Sequence, residues 1–341
     1  MNDAYGRTID YLRLSVTDLC NLRCVYCMPP EGVCKRSHGE ICSLEELAEL
    51  AAACVALGVK KIRLTGGEPL VRKGICNLVE QLNALRPAGL EELCMTTNGS
   101  LLAELAAPLR AAGLDRLNVS LDTLRPERYR SLTRGGELQR VLDGLAAAEA
   151  AGFRDIRLNT VLLGGVNEDE LGELARLARI HPWSIRFIEL MPIGPGAAMG
   201  GAFLPASRVL EAVPELREMQ NAKRKMQSEG TGNGEERILR FAQNDGVGDV
   251  ARLYTAPGWA GTVGLIAPMS RRFCEGCSRI RITADGRLKL CLHSAEEIPL
   301  RGLHGDALRQ TLEAAVRRKP AGHKLSEAPS DSRRPMNEIG G

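Results

Sequence analysis

Short apolar runs alternate with amphipathic stretches of helical length through the first 190 residues, and this alternation limits the fold more than any other feature. The candidate strands are Tyr11–Val16, Lys61–Thr65, Leu93–Thr97, Arg116–Leu121, Ile156–Leu162 and Ile185–Leu190. The candidate helices are Ser43–Leu57, Gly74–Leu85, Leu101–Ala112, Glu137–Ala151 and Glu168–Ile180. Strands that alternate with helices predict an α/β fold with a parallel sheet and right-handed crossovers. A doubly wound sheet and a partial barrel both fit this order, and the periodicity does not choose between them.

The pattern changes after Leu216. The stretch from 223 to 245 is polar and rich in glycine, which predicts a polar loop or a disordered insertion. Two hairpin-like segments follow, Ala251–Ala267 and Arg279–Leu292, and a last helix is expected at Asp306–Arg318. We therefore divide the chain into a core at 5–216, a polar insertion at 217–250 and a smaller β-rich region at 251–341.

Composition limits the class of protein. A chain of 341 residues can bury a large core, and a formal net charge of +3 does not by itself indicate nucleic acid or membrane. The first residues lack the basic and apolar regions of a signal peptide, and no run approaches the roughly 18 apolar residues of a spanning helix. We therefore expect a cytoplasmic protein. Its eleven cysteines are then expected to be reduced and to serve metal binding or catalysis rather than disulfides.

The first cysteine group is Cys20, Cys24 and Cys27, in the sequence CNLRCVYC directly after the first candidate strand. Three thiolates on one loop can hold a four-iron cluster and leave one iron open to an outside ligand. A structural zinc site would need a fourth ligand, for which Cys34 is the nearest candidate. The spacing therefore favours an iron–sulfur cluster.

The spacing Cys-x3-Cys-x2-Cys, with Tyr26 before the last cysteine, resembles the signature of the radical S-adenosylmethionine (SAM) superfamily. A second motif of that superfamily, Gly66-Gly67-Glu68-Pro69, follows the second candidate strand. The resemblance implies a partial (βα)6 TIM-type barrel, with the cluster and SAM at the C-terminal ends of its strands. The count of six candidate strands agrees.

A second cysteine group lies near the other end of the chain and consists of Cys274, Cys277 and Cys291. His293 could complete a Cys3His zinc site, and spacing alone leaves zinc and iron–sulfur open. A chain that already has one cluster is the better host for a second. We therefore expect another four-iron cluster with an open iron.

Arginines stand between apolar residues in the middle of the candidate strands. They are Arg13, Arg63, Arg157, Arg186 and Arg281, with Arg279 two residues before the last. Alternation along a strand turns the apolar neighbours to the helices and the arginines inward. Few acidic residues are expected on the same faces, and uncompensated buried charge costs several kcal/mol per ion. A polyanionic ligand such as a triphosphate would resolve this, because guanidinium groups suit phosphates.

Motifs along nearly the whole chain resemble the GTP 3′,8-cyclases of molybdenum cofactor biosynthesis. They are LRLSVTDLCNLRCVYCMP, KKIRLTGGEPLVRK, TTNG, LNVSLDTL, IRFIELMPIG, FCEGCSRIRIT, GRLKLCL and MNEIGG. The resemblance implies two [4Fe–4S] clusters and SAM, whose cleavage yields a radical that removes hydrogen from the 3′ carbon of the GTP ribose. Attack on carbon 8 of guanine then gives 3′,8-cyclo-7,8-dihydro-GTP, the first step towards molybdopterin.

The same resemblance implies roles for individual residues. The first cluster would be held by Cys20, Cys24 and Cys27, and SAM would be contacted by Tyr26, Gly67, Ser120 and Met191. The second cluster, whose open iron binds guanine, would be held by Cys274, Cys277 and Cys291. GTP would be contacted by Arg13, Arg63, Thr96, Arg157, Arg279 and Arg281, where Arg157 occupies a position at which the family can carry lysine. A catalytic di-glycine tail, Gly340 and Gly341, would thread into the active site.

The implied partners are GTP, an electron donor of flavodoxin or ferredoxin type, and the cyclic pyranopterin monophosphate synthase that receives the product. No nucleic acid or membrane is expected, and a homodimer is one candidate assembly. One alternative is another twin-cluster radical SAM enzyme that modifies a peptide, which predicts an acidic or apolar groove instead of inward arginines. Another is a zinc-ribbon nucleic-acid-binding protein, which the aromatic content of 4% does not favour.

Overall fold

A computed structural model describes residues 1–33, 36–37, 39–219, 250–323, 325 and 330–340. Its strands are β1 Tyr11–Ser15, β2 Lys61–Thr65, β3 Glu92–Thr97, β4 Arg116–Ser120, β5 Ile156–Leu162, β6 Ser184–Glu189, β7 Arg217–Glu218, β8 Arg252–Thr255, β9 Thr262–Ile266, β10 Arg279–Ile282, β11 Arg287–Lys289 and β12 Ile298–Pro299. Its α-helices are α1 Leu44–Ala56, α2 Ile75–Asn83, α3 Leu102–Ala111, α4 Pro126–Thr133, α5 Leu138–Ala150, α6 Leu171–Ile180, α7 Arg208–Ala212, α8 Gly305–Arg317 and α9 Met336–Ile339.

Strands β1 to β6 lie side by side in chain order, and every neighbouring pair among them is parallel. This arrangement confirms the predicted α/β class and all six predicted strands of the core. The predicted helices also form, each within a few residues of its expected bounds. Helix α4 was not expected, because its sequence PERYRSLT is mostly polar and buries only three side chains, Tyr129, Leu132 and Thr133.

Local signals in the sequence set several helix ends. Ser43 caps α1 by accepting a hydrogen bond from the amide of Glu46, while the Glu46 carboxylate accepts one from the amide of Ser43. This reciprocal pair is the capping box that the sequence predicted. At the end of α3 the chain turns at Gly113, whose φ is +100° and whose missing Cβ leaves room for the side chain of Asn83. Only glycine adopts this backbone there without strain.

The C-terminal strands extend the core sheet at both edges instead of forming a sheet of their own. Strand β10 pairs in parallel with β1, and β11 and β12 follow it as antiparallel neighbours. At the other edge β9 pairs in parallel with β6, and β8 and β7 follow. The segment after residue 250 therefore contributes to both sides of the space that the core strands face.

The two faces of the core strands differ in chemistry. Leu12, Leu14, Ile62 and Leu64 have no exposed surface and belong to the main hydrophobic core. The residues between them carry polar and charged side chains that point to the opposite face, as the period of two requires. Hydrophobic burial thus fixes which face of the sheet meets the helices, and the other face is left to line a cavity.

Some expectations concern residues outside the described ranges. The polar insertion expected at 217–250 lies there for all but its first three residues and its last, and so do Cys34 and Gly341. Among the helices that the structure describes, none combines the length and the apolar composition needed to span a bilayer.

Candidate active site

A cavity of about 820 Å³ lies on the polar face of the core strands. Both predicted cysteine groups line it: Cys20, Cys24, Cys27, Cys274, Cys277 and Cys291. It is also lined by the other residues proposed for cofactor and substrate, namely Tyr26, Gly67, Ser120, Met191, Arg13, Arg63, Thr96, Arg157, Arg279 and Arg281. The fold therefore brings residues from the whole length of the chain into one space.

The two cysteine groups lie at opposite ends of the parallel strands. The first group follows Ser15, the last residue of β1. The second group begins just before Arg279, the first residue of β10, and Arg279 is level with Tyr11, the first residue of β1. Cys291 follows β11, which is antiparallel to β10 and so ends at the same side. One strand length, roughly 15 Å, separates the two ends of the strands.

The cysteines of the first group are half-buried, in apolar and acidic surroundings. Burial raises the pKa of the Cys20 thiol to about 11 and that of Cys27 to about 12. Burial also raises the pKa of Cys24, and the neighbouring Cys27 and Asp122 add to this effect. Three thiols on one loop that is open to a cavity form a donor set that suits an iron–sulfur cluster.

Tyr26 is fixed within this loop by a buried carboxylate. Its hydroxyl donates to Asp122 Oδ2 at 2.6 Å, and Asp122 Oδ1 accepts from the amide of Val161 at 2.8 Å. Burial raises the pKa of Asp122 to about 6 in spite of these hydrogen bonds. The contact holds the aromatic ring of the cysteine loop against the ends of β4 and β5.

The Gly-Gly-Glu-Pro turn after β2 packs directly on the start of the cysteine loop. The Gly67 amide donates to Thr17 O at 2.9 Å, and a Cβ on Gly67 would lie 2.3 Å from Leu19 O. Glu68 is fully buried and accepts from the Leu70 and Asn98 amides and a hydroxyl of β3; burial raises its pKa to about 7. The turn therefore needs glycine for close approach and a carboxylate to hold the next strand end.

The second cysteine group has basic surroundings. Cys274 and Cys277 share one tight turn, in which the Cys277 amide donates to Cys274 O at 3.1 Å. Burial by itself would raise the pKa of Cys277, but the charges of Arg279 and Lys319 outweigh it and lower that pKa to about 7. The site thus favours anionic groups.

His293, the fourth ligand that zinc would need at the second group, makes other contacts. Across the described part of the chain, no three side chains of His, Cys, Asp or Glu are close enough to hold a single metal ion. His293 Nδ1 lies 3.2 Å from Ser330 Oγ, and its ring meets His323 edge-on. A four-iron cluster binds its thiolates on different irons and so suits cysteines spaced more widely than zinc ligands.

The strand arginines face the cavity, as their alternation predicted. Arg13 is level with Arg63 on one side and with Arg281 on the other. Burial would raise the pKa of Tyr11, yet the neighbouring cations, Arg63 first, lower it to about 8. Burial and the charge of Arg279 lower the pKa of Arg281 to about 10. The Tyr11 shift, together with the effect of Arg279 on Arg281, indicates a positive potential in this part of the cavity.

The expectation of few acidic partners is wrong at one side of the cavity. Arg157 lies 3.1 Å from Asp155, and Arg116 lies 3.0 Å from Asp155 and 2.6 Å from Glu92. Asp155 lies two residues before Arg157 and Glu92 lies four residues before Thr96, so the period of two places both carboxylates on the inward face, just outside the predicted strand bounds. Part of the charge of Arg157 is consequently offset within the protein itself.

The C-terminal tail reaches the same space. Gly340 O accepts a hydrogen bond from Arg281 Nη1 at 2.6 Å. The φ of Gly340 is +78°, and a Cβ there would lie 2.2 Å from Thr65 Oγ1. Asn337 donates to Asp18 O at 3.0 Å and anchors the tail beside the cysteine loop. Only a residue without a side chain fits at Gly340.

Sequence reasoning missed several residues that line the cavity. They are Lys61, Arg116, Asn118, Asn159, Asp122 and Lys319. The same period-of-two rule that selected Arg157 also places Asn159, two residues later, on the inward face. It likewise places Asn118 on the face that Arg116 and Ser120 share. Lys319 had no such signal, because it lies after the last long helix and reaches the cavity through tertiary packing alone.

Comparisons with known proteins agree with this site. Residues 14–178 match the Radical SAM superfamily, and residues 183–325 match Molybdenum Cofactor Synthesis C. A GTP 3′,8-cyclase of Peptoclostridium acidaminophilum is 45% identical over 99% of this chain and 98% of its own. One from Geobacter sulfurreducens is 44% identical over 99% of both chains. The chain belongs to the GTP 3′,8-cyclase family.

Members of this family are radical SAM enzymes that use [4Fe–4S] clusters and SAM, and this chain shares those cofactors. Streptococcus suis SuiB bound to its precursor peptide SuiA superposes with a TM-score of 0.59 and 14% identity, covering 98% of this chain and 76% of that one. That likeness shows the radical SAM fold alone. The full-length relatives carry the cyclase name, so a peptide-modifying activity is not favoured.

Proposed function

We propose that the protein is the radical SAM cyclase that converts GTP to 3′,8-cyclo-7,8-dihydro-GTP at the start of molybdenum cofactor biosynthesis. One observation carries the proposal. A single cavity joins a cysteine loop of the radical SAM type at one end of the strands to a second cysteine group at the other, with a group of arginines between them.

At the first end, Cys20, Cys24 and Cys27 would hold the SAM-binding cluster. SAM would be contacted by Tyr26, Gly67, Ser120 and Met191. When bound, cluster and SAM supply the radical that begins the reaction. The chain's part is to orient SAM, for which the Tyr26–Asp122 contact and the close-packed Gly67 turn provide a rigid support.

At the second end, Cys274, Cys277 and Cys291 would hold the second cluster, with an open iron for the guanine base. The triphosphate would be bound by Arg13, Arg63, Thr96, Arg157, Arg279 and Arg281. Arg63 already donates to the Tyr11 hydroxyl and to Thr96 Oγ1, which fixes its guanidinium towards the cavity. The lowered pKa of Tyr11 supports an anionic ligand here, since that shift measures the excess of positive charge.

These positions orient GTP between the two ends, so that its ribose would face SAM while its base and phosphates are held from the other side. Gly340 and Gly341 would complete the wall next to the ribose as the catalytic tail. The main work of these residues is to bind, to orient and to exclude water, because an exposed radical would react with solvent components.

The proposed function also implies a barrel fold, a cytoplasmic location and two protein partners. We take the core strands as a partial (βα)6 TIM-type barrel in which the C-terminal region closes the open side and carries the second cluster. The protein would act in the cytoplasm, take electrons from a flavodoxin or ferredoxin, and pass its product to the cyclic pyranopterin monophosphate synthase. A homodimer is its proposed assembly.

The test uses anaerobically reconstituted protein with SAM, a reductant and GTP deuterated at the 3′ carbon. The proposal expects deuterium in 5′-deoxyadenosine and a product with the mass of unlabelled GTP, because one deuterium leaves and one proton enters. Nuclear magnetic resonance should show a saturated carbon 8. Deuterium-free 5′-deoxyadenosine with unchanged GTP would contradict the proposed function.

A further inference from the structure

Lys319 connects the two chain segments that carry the second cysteine group. It follows α8, and only 3% of its surface is exposed. Its Nζ donates to Arg279 O at 2.7 Å and to Leu290 O at 2.5 Å. The first carbonyl lies two residues after Cys277, and the second belongs to the residue immediately before Cys291. One ammonium group therefore ties together the two loops on which these cysteines stand.

The environment of this ammonium group is unusual for a buried lysine. Among the described residues no carboxylate lies within salt-bridge distance of Lys319, whereas the buried Lys289 has Glu297 at 3.4 Å. A buried charge without an anionic partner is costly, so neighbouring groups must offset it. Burial lowers the pKa of Lys319, and Cys277 and Cys291 are the groups that act most strongly in the opposite direction.

The residues that follow Lys319 pack against the remaining cysteine of the group, Cys274. Arg7 Nη1 donates both to Cys274 O and to Ala321 O at 2.8 Å, and Arg7 Nη2 donates to Pro320 O at 2.6 Å. A Cβ on Gly322 would lie 3.1 Å from the Cβ of Cys274. The segment 319–322 therefore packs against all three stretches that bear the cysteines.

We propose that Lys319 is a positioning residue for the second iron–sulfur cluster, and that its two hydrogen bonds set the spacing between the Cys277 and Cys291 loops. The inference rests on the proposed function, because it takes Cys274, Cys277 and Cys291 as the cluster's ligands. The positive charge of Lys319 also offsets the negative charge of the cysteine thiolates. Hydrogen bonds between neutral groups would not have this effect.

Replacing Lys319 by methionine keeps most of the side-chain volume and removes both hydrogen bonds and the charge. We expect iron in the anaerobically reconstituted variant to fall from about eight to about four atoms per chain. Mössbauer spectra should show one remaining four-iron cluster, which SAM cleavage identifies as the first. SAM cleavage should persist, because the first group lies at the other end of the strands, and this activity also shows that the chain is folded.

Two matched variants test whether the loss of iron is specific to the bridging position of Lys319. Lys289→Met removes a lysine that is equally buried but whose carbonyl bond, to Ser294 O, stays within one loop; this variant should keep both clusters. Lys319→Arg retains the charge with a different reach and should hold an intermediate amount of iron. Full iron in Lys319→Met, equal loss in Lys289→Met, or loss of both clusters in Lys319→Met would each overturn the proposal.

A Cys277→Ala variant distinguishes failure of this inference from failure of the proposed function. If Cys277→Ala loses about four irons while Lys319→Met keeps eight, the ligand set stands and only the role of Lys319 fails. If Cys277→Ala also keeps eight irons, the proposed ligand set itself is wrong. Loss of about four irons in both variants, with normal SAM cleavage, supports both.

Discussion

The two cysteine groups line one cavity, yet their surroundings have opposite electrostatic character. At the first group burial and neighbouring carboxylates raise the pKa of every thiol. At the second group Arg279 and Lys319 lower the pKa of Cys277 to about 7. The same residue type therefore stands in one site that disfavours added negative charge and in another that attracts it.

This difference matches the molecules that the two sites are proposed to bind. SAM carries a positive sulfonium, and surroundings that disfavour added negative charge through buried carboxylates suit it. A nucleoside triphosphate carries several negative charges and needs the cations of β1, β2 and β10. Because the two groups lie at opposite ends of the same strands, one cavity can hold both molecules with the reacting atoms between them.

The largest expected effect on activity comes from replacing one cysteine of each group by another residue. Cys24→Ala should abolish both the release of 5′-deoxyadenosine and the conversion of GTP, because nothing would then cleave SAM. Cys277→Ser should abolish cyclisation while some 5′-deoxyadenosine release persists. Both products are measured by liquid chromatography of anaerobic reactions. Retained GTP conversion in Cys277→Ser would show that the second group is a structural feature and not a substrate site.

Gly340→Ala should reduce cyclisation by about tenfold or more, because the new Cβ would overlap Thr65 Oγ1 and displace the tail. Gly302→Ala is the control, since Gly302 has almost the same φ, +79°, with no atom near its missing Cβ. The control should lose only about 1 kcal/mol of unfolding free energy. Equal losses of GTP turnover in the two variants would mean that backbone strain, not the position of the tail, is responsible.

Arg63→Ala should weaken GTP binding by about tenfold or more, because a charge-assisted contact to phosphate contributes roughly 1.5–3 kcal/mol. The affinity for SAM should hardly change, since the contacts proposed for SAM are made by other residues, beyond or at the C-terminal ends of the strands. Guanosine, which lacks the triphosphate, should bind almost as before. Calorimetric titrations of GTP and guanosine into both proteins decide the matter. Equal losses for the two ligands would remove the triphosphate interpretation of this strand.

Tyr11 should make GTP binding depend on pH. Below its pKa of about 8 the phenol is neutral, so the positive charges of the neighbouring Arg63, Arg13 and Lys61 remain available to bind the triphosphate. Above that pKa the phenolate neutralises part of their charge, so GTP affinity should fall severalfold between pH 7 and pH 9, approaching tenfold if the phenolate form binds no GTP. Tyr11→Phe should bind GTP with a nearly constant affinity over this range. The same decline in Tyr11→Phe would assign the titration to another group.

The smallest effect is expected from deleting Lys225–Gly234, which lies outside the described residues and belongs to neither cysteine region. Its polar composition supports little core, and the free energy of closing a loop changes only logarithmically with length. The melting temperature and GTP turnover should therefore change little. A large loss of either would show that this segment packs on the folded chain.

The alternating pattern was sufficient to predict the core strands and their inward faces. Arg13 and Arg63 each stand between two apolar residues that are buried against the helices, so their own side chains must point to the opposite face, which lines the cavity. The same period, carried just beyond the predicted strand bounds, places Asp155 and Glu92 on the inward face as well. Their distances to Arg157 and Arg116 could not be predicted, because those distances depend on how neighbouring strands align.

The sequence by itself determined the α/β class, the two cysteine groups and the positive inner face, because each follows from local spacing and from the period of a strand. Tertiary structure alone decided that the two groups lie at opposite ends of one cavity. This arrangement requires β10 to pair in parallel with β1, and the paired residues are 268 positions apart along the chain. It also decided the place of Lys319, whose hydrogen bonds join two loops that no sequence period relates. Long-range pairing depends on which edges remain open after the core has formed, and that is a property of the assembled sheet.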